Sequence, residues 1–136
     1  MGEFSDYLET KILEHMIRNQ AFSPPTAVYL ALFTTNTGLE SNAPSSEVSG
    51  NAYARQTITF NQAAAGSMTN NGAITFPTAT PATWGTITSV AVVDHVSNTN
   101  WGTNVNVLMW TDITPVVISA NDIFQINDTQ LTLSAD

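Results

Sequence analysis

From Val28 to Ser134 the chain is written in short apolar runs, each closed by Pro, by Gly or by a cluster of Asn, Ser and Thr. Runs of that length and punctuation make strands, and many of them in one chain make a β-sandwich, jelly-roll or immunoglobulin-like. Val28, Leu30 and Leu32 alternate with Tyr29, Ala31 and Phe33. That predicts a strand with apolar groups on both faces. Further strands are predicted over Tyr53–Phe60, Ala73–Phe76, Trp84–Asp94, Val105–Thr111, Val116–Ser119, Ile123–Asn127 and Gln130–Ser134. Trp84–Asp94 reads as the longest. Pro115 separates two strands, and Asn127-Asp128-Thr129 reads as the tight turn of a last hairpin. The connections are Thr34–Asn51, Asn61–Asn71, Thr78–Thr83 and Asp94–Asn104.

Ahead of Pro24-Pro25 the texture is different. Leu8, Ile12, Leu13, Met16 and Ile17 recur with helical spacing, which predicts one amphipathic helix. Ser5 reads as its N-cap, with Asp6 in the first turn where the helix dipole favours an anion. Glu14 and Arg18 are an i, i+4 pair. The prolines forbid continuation. Residues 1–20 are therefore assigned to the helix and 21–136 to the β body of a single domain. The apolar stripe either packs on the body's own core or meets another subunit.

Charge bounds the partners. Charged residues make up only 10% of the 136, against roughly 25% in an ordinary domain. Thr, Asn and Ser fill the gap. Such a surface packs against neighbours with little charge to desolvate. The net charge of −8, with three basic residues in all, cannot neutralise a row of phosphates, so no nucleic-acid partner is expected. With no cysteine, disulfides, thiol catalysis and thiolate metal sites are excluded. Glu3, Asp6, Glu9 and Lys11 interrupt any secretory leader. No run is long enough for a membrane span, so no membrane partner is expected.

No catalytic, cofactor-binding or metal-ligating constellation is read. His15 lies beside Glu14 on the helix, and His95 follows Asp94 at a strand end. Neither has a nucleophile in a suitable context. Asp122, Asn127 and Asp128 lack the EF-hand spacing and are ordinary turn residues. No Gly-rich phosphate cradle is present.

Arg55 is the one basic residue after Arg18. Glu47, Tyr53 and Gln56 surround it in sequence. It reads either as a clamp with Glu47 that pins the long loop to the body, or as a docking contact to an acidic partner. Trp110 reads as core. Trp101, in a polar loop, reads as loop packing, as an interface anchor or as a platform for a sugar. Leu8, Ile12, Met16, Arg55 and Trp101 are thus the candidate interface residues.

Four segments in fixed order resemble one family. They are Ser5-Asp6-Tyr7-Leu8 with Lys11 and Leu13; Pro25 to Thr34; Glu47-Val48-Ser49-Gly50 with Tyr53-Ala54-Arg55-Gln56; and Ile74-Thr75-Phe76-Pro77 leading to Trp84-Gly85-Thr86-Ile87-Thr88. The chain resembles the virion structural proteins of tailed bacteriophages, a group labelled tail-fibre-like that includes capsid decoration, or cement, proteins. The C-terminal third departs from the pattern. Val90-Ala91-Val92-Val93-Asp94 stands where the family has a Gly-Ile-Phe-Asp-like strand, and Met109-Trp110-Thr111 where it has Tyr-Trp-Gly. The resemblance implies no enzyme activity and no cofactor. It implies a homotrimer on the outer capsid of the virion that binds and bridges the major capsid protein. The alternative it implies is a tail-fibre or tail-tip component that meets a host glycan or receptor.

Overall fold

The computed structural model describes residues 2–135. The chain is mainly β with one helix near its N-terminus, in a sandwich-like arrangement. The main layer is an antiparallel five-stranded sheet. Its strands are β1 (Glu3–Phe4), β2 (Val28–Phe33), β3 (Gln56–Ile58), β6 (Gly85–Val93) and β7 (Val107–Ile118), in the order β1-β7-β6-β2-β3. The second layer is two separate ribbons rather than one sheet. In one, β4 (Ser67–Thr69) pairs with β9 (Thr132–Ser134); in the other, β5 (Ile74–Thr75) pairs with β8 (Gln125–Ile126).

Each face of the main sheet carries a core, although the far half of β7, with Thr114, Pro115 and Val117, stays exposed. Alternate residues of β2 face opposite ways. Leu30 and Leu32 join Phe76, Trp84, Ile87, Val90, Phe124 and Leu133 in the larger core under the ribbons. Ala31 and Phe33 join Leu39, Ala91, Val93, Val105 and Val107 in a smaller core on the other face. Segments of the connections 34–51 and 94–106 cover that second face, and their polar groups interlock. Asn42 Nδ2 donates to Asn106 Oδ1 (2.9 Å), and Asn106 Nδ2 donates to Asp94 Oδ2 (2.8 Å). Val107 N–H donates to Asn42 Oδ1 (2.8 Å).

The helix α1 spans Asp6–Met16 and begins as the sequence predicts. Ser5 accepts from the Leu8 N–H at 3.3 Å. The cap is also tied to the sheet. Ser5 Oγ donates to the Val107 carbonyl, and Ser5 N–H to the Leu108 carbonyl at 3.0 Å. So the first turn is bolted to the start of β7.

Several expected strands are drawn differently. The strand expected over Tyr53–Phe60 forms only at Gln56–Ile58. Gly50, Asn51 and Ala52 have φ of 71°, 51° and 66°, a left-handed turn that delays the entry into sheet. The expected loop 61–71 contains β4. The strands placed either side of Pro115 are one strand, β7, and at 12 residues it exceeds β6 at 9. Between the pairs Ile87↔Val116 and Ser89↔Asp112, one residue of β6 opposes three of β7, Ile113, Thr114 and Pro115. A proline has no N–H for a ladder, and a bulge asks for none there. The final hairpin does not form. The Gln130 N–H does donate to the Asn127 carbonyl (3.2 Å), but β8 and β9 diverge to different partners. The fully buried Asn70 sits at the fork. Its Nδ2 donates to the carbonyls of Gly72 (2.8 Å) and Asn127 (3.0 Å), and its Oδ1 accepts from the Leu131 N–H (2.8 Å).

Candidate functional site

The residues that matter most converge at the β2–β3 edge of the main sheet, where Arg55 meets Trp101 of the smaller core while Val48 and Tyr53 pack on the larger one. Glu47 arrives by a bridge to Phe33, and the Val48 N–H donates to the Leu32 carbonyl at 3.0 Å. The left-handed turn delivers Tyr53, and Arg55 stands immediately before β3. His95 to Asn98 form the turn after β6. The His95 Nδ1 accepts from the N–H groups of Ser97 (3.1 Å) and Asn98 (2.9 Å), which aims the carbonyls of His95 and Asn98 inward.

Arg55 binds all of these at once. Its Nε and one terminal nitrogen grip the two Glu47 oxygens, each at 2.7 Å. Its terminal nitrogens also donate to the carbonyls of His95 (2.7 Å) and Asn98 (3.0 Å). The pair is withdrawn from water, with side-chain exposure of 2% for Arg55 and 12% for Glu47. The planar fork matches the carboxylate, which an ammonium could not do. Tyr53 completes the set. It accepts from the Leu32 N–H and donates to Glu47 Oε1, both at 3.0 Å. Burial first, and then the Glu47 charge, push its phenol well above the ordinary range, so it stays a donor. The guanidinium carbon lies 4.9 Å from the Trp101 ring centroid, and Phe33 packs on the same ring at 6.2 Å.

The strained turn is held on both sides. Asn51 accepts from Trp84 Nε1 (2.8 Å) and from the Thr80 N–H (3.1 Å) through its carbonyl. Beside the clamp the loops 44–55 and 96–101 bound an open cleft of about 490 Å³, with Pro44, Val48, Val96 and Trp101 among its apolar walls. Glu47, Arg55 and Tyr53 are thus hydrogen-bonded to one another at the edge of this cleft.

The other predicted residues lie elsewhere. Leu8 is half-buried and packs on the larger core, and Ile12 is half-buried. Met16 points to water at 70% exposure, with Leu13 at 62% and Ile17 at 78%. The stripe is therefore divided: its first turn docks on the body and its last turns are free. Trp110 is half-buried rather than core, because its Nε1 reaches out to Glu40 at 2.8 Å. Among the described residues, three acidic ligand atoms gather only at Asp6, Glu9 and Glu40, all exposed. Asp122 and Asp128 accept backbone N–H groups of Ser119 and Gly72 at 2.9 and 2.8 Å, the ordinary work of turn residues. No described helix is long and apolar enough to cross a membrane. Sequence reading missed the contribution of His95 and Asn98, because they bind Arg55 through carbonyls that every residue has.

A family model described as Podophage GP4 fiber I protein gp80 matches residues 3–134. The chain belongs to this family. It is a tailed-phage virion structural protein of fibre type. No curated protein matches the chain at a significant level. The family match runs from β1 to β9 and includes the clamp, the cleft loops and the helix. It speaks of a fibre, and so gives the tail reading more support than the capsid-bridging one.

Proposed function

We propose that this protein is a non-enzymatic tail-fibre or tail-tip component with a role in host attachment. The observation that carries the reading is the match of nearly the whole chain to a phage fibre family. The geometry supports a two-ended molecule. The helix stands at the β1–β7 edge of the main sheet, and the clamp and cleft at the β2–β3 edge. Leu13, Met16 and Ile17 present apolar area with no partner among the described residues. We assign them to self-association, as a homotrimer or within a larger tail assembly, which leaves the cleft loops free to face outward.

Particles that lack the protein test this. They should adsorb poorly to host cells, yet release DNA at the same temperature as intact particles. Purified virions should hold a small, tail-like number of copies. A copy number matching the capsid lattice, together with heat-fragile particles that adsorb normally, would instead establish bridging of the major capsid protein.

A further inference from the structure

The cleft is charged in sequence and neutral in effect. Arg55 and Glu47 line it, but each is bound bidentately to the other and both are nearly sealed from water. An anionic ligand would find no free cation there and would approach a chain of net charge −8. A cation would find the Glu47 oxygens already taken. What the cleft does offer is hydroxyl groups. Ser45, Ser49, Ser97 and Thr99 line it and are exposed, and their hydroxyls make no hydrogen bond to any described residue. Each can donate and accept. Between them lie apolar surfaces, of which Val96 is 50% exposed. A purely apolar ligand would strip water from those hydroxyls without replacing it.

A neutral polyol with one apolar face fits both features. The volume of about 490 Å³ is also within the range of ligand sites, roughly 300–1,000 Å³. We infer that the cleft binds an uncharged saccharide, held by the serine and threonine hydroxyls over the valine wall. Trp101 is not a full stacking platform, because the Arg55 guanidinium already takes one face of its ring and Phe33 packs on it as well. Without that platform one site binds weakly, and several copies on one particle supply the avidity. The site's use in attachment rests on the fibre reading; its chemistry does not.

The test is a proton–nitrogen NMR titration of the full chain with neutral oligosaccharides of glucose, galactose, mannose, rhamnose and N-acetylglucosamine. Sialic acid and glucuronate serve as charged controls. The expected result is a set of shifts confined to amides around Ser49, Ser97 and Thr99, with at least one neutral sugar, at a dissociation constant on the order of 1–10 mM. The variant S49A/S97A/T99V leaves the clamp side chains in place. It should melt as the parent does and bind about tenfold or more weakly. Three results would overturn the inference: no shift with any neutral sugar, tighter binding of the charged controls, or equal binding by the triple variant. Cross-linking of a virion protein segment into the cleft would overturn it too. Adsorption of particles that lack the protein is scored separately. Poor adsorption without sugar binding keeps the fibre reading and removes the cleft inference; sugar binding with normal adsorption does the reverse.

Discussion

Removing the Arg55 guanidinium should be among the most damaging single changes available in this fold. Arg55→Ala deletes four hydrogen bonds of 2.7 to 3.0 Å and leaves the Glu47 carboxylate with Tyr53 as its remaining partner. Breaking a buried pair from one side costs about 3–5 kcal/mol, mostly because a charge is stranded. Glu47 keeps 12% exposure, and the two carbonyls lie near enough to the surface to recruit water. The lower end applies, about 3 kcal/mol. In a chain of this size that lowers the melting temperature by about 9–15 °C. Glu47→Gln with Arg55→Met strands no charge, keeps an acceptor for Tyr53 and keeps bulk against Trp101, and should cost only about 1 kcal/mol. Arg55→Met alone strands Glu47 as Arg55→Ala does, at about 3 kcal/mol, so the cycle built from Glu47→Gln, Arg55→Met and the pair carries a coupling of about 2 kcal/mol or more. Urea melts of the single and double variants measure this directly. A loss under about 1 kcal/mol for Arg55→Ala, or a cycle that closes additively, would show that the clamp is solvated and pins nothing.

The other predictions are briefer. Asn70→Ala leaves two carbonyls and one N–H unpaired at the fork; it should cost about 2–4 kcal/mol in chemical denaturation and speed hydrogen exchange of the Leu131 amide. Ala52→Gly relieves a left-handed alanine at φ 66° and should raise stability by about 0.5–1 kcal/mol, read in the same melts. Leu13→Glu with Met16→Glu changes side chains already in water; the melting temperature should hold while sedimentation shows the assembly falling apart. The Tyr53 phenol is raised from its ordinary value of 10.0. Its contribution is therefore complete below about pH 10, and is lost above that as the unfolded chain ionises first, at up to about 1.4 kcal/mol per pH unit. Tyr53→Phe should flatten that alkaline slope in melts taken from pH 9 to 11.

What the sequence discloses is what is local. Ser5 caps the helix because a serine oxygen reaches an N–H three residues on, and that signal lies within four letters. β2 is legible because its apolar run is unbroken, and β6 because it closes on four apolar residues, Val90, Ala91, Val92 and Val93. Glu47 and Arg55 could be named as a pair because a single late cation has few acids near it in sequence. The rest depends on partners far along the chain. Pro115 looks like a stop, and only the register of β6 against β7 shows that a bulge absorbs it. The last two strands look like a hairpin until Asn70, 57 residues before Asn127, holds them apart. The cleft is harder still to foresee. Its hydroxyls come from two loops whose shared wall exists only once Arg55 has drawn them together, and an unpaired surface serine has no signature of its own.

Charge then fixes how copies can meet. After Arg18 the only basic residue is Arg55, and it is buried and neutralised. Glu40, Asp112, Asp122 and Asp128 are exposed around the body. Two bodies approaching through those surfaces bring like charges together, and at physiological ionic strength that repulsion still acts within about 8 Å. The last turns of the helix are different. Arg18 there is compensated by Glu14 at 2.6 Å, and Lys11 stands over the Tyr7 ring. Leu13, Met16 and Ile17 are exposed between them. On the proposed self-association this is the surface on which another copy meets apolar area, with the exposed acids Asp6, Glu9 and Glu40 gathered toward the helix's first turn. Under the proposed association, the opposite edge of the sheet, with the clamp and its cleft, faces away from the assembly. On the proposed assembly and the inferred cleft ligand, such a molecule gains from being multiplied: each copy adds one weak, outward-facing site, and the helix sets how many sites act together.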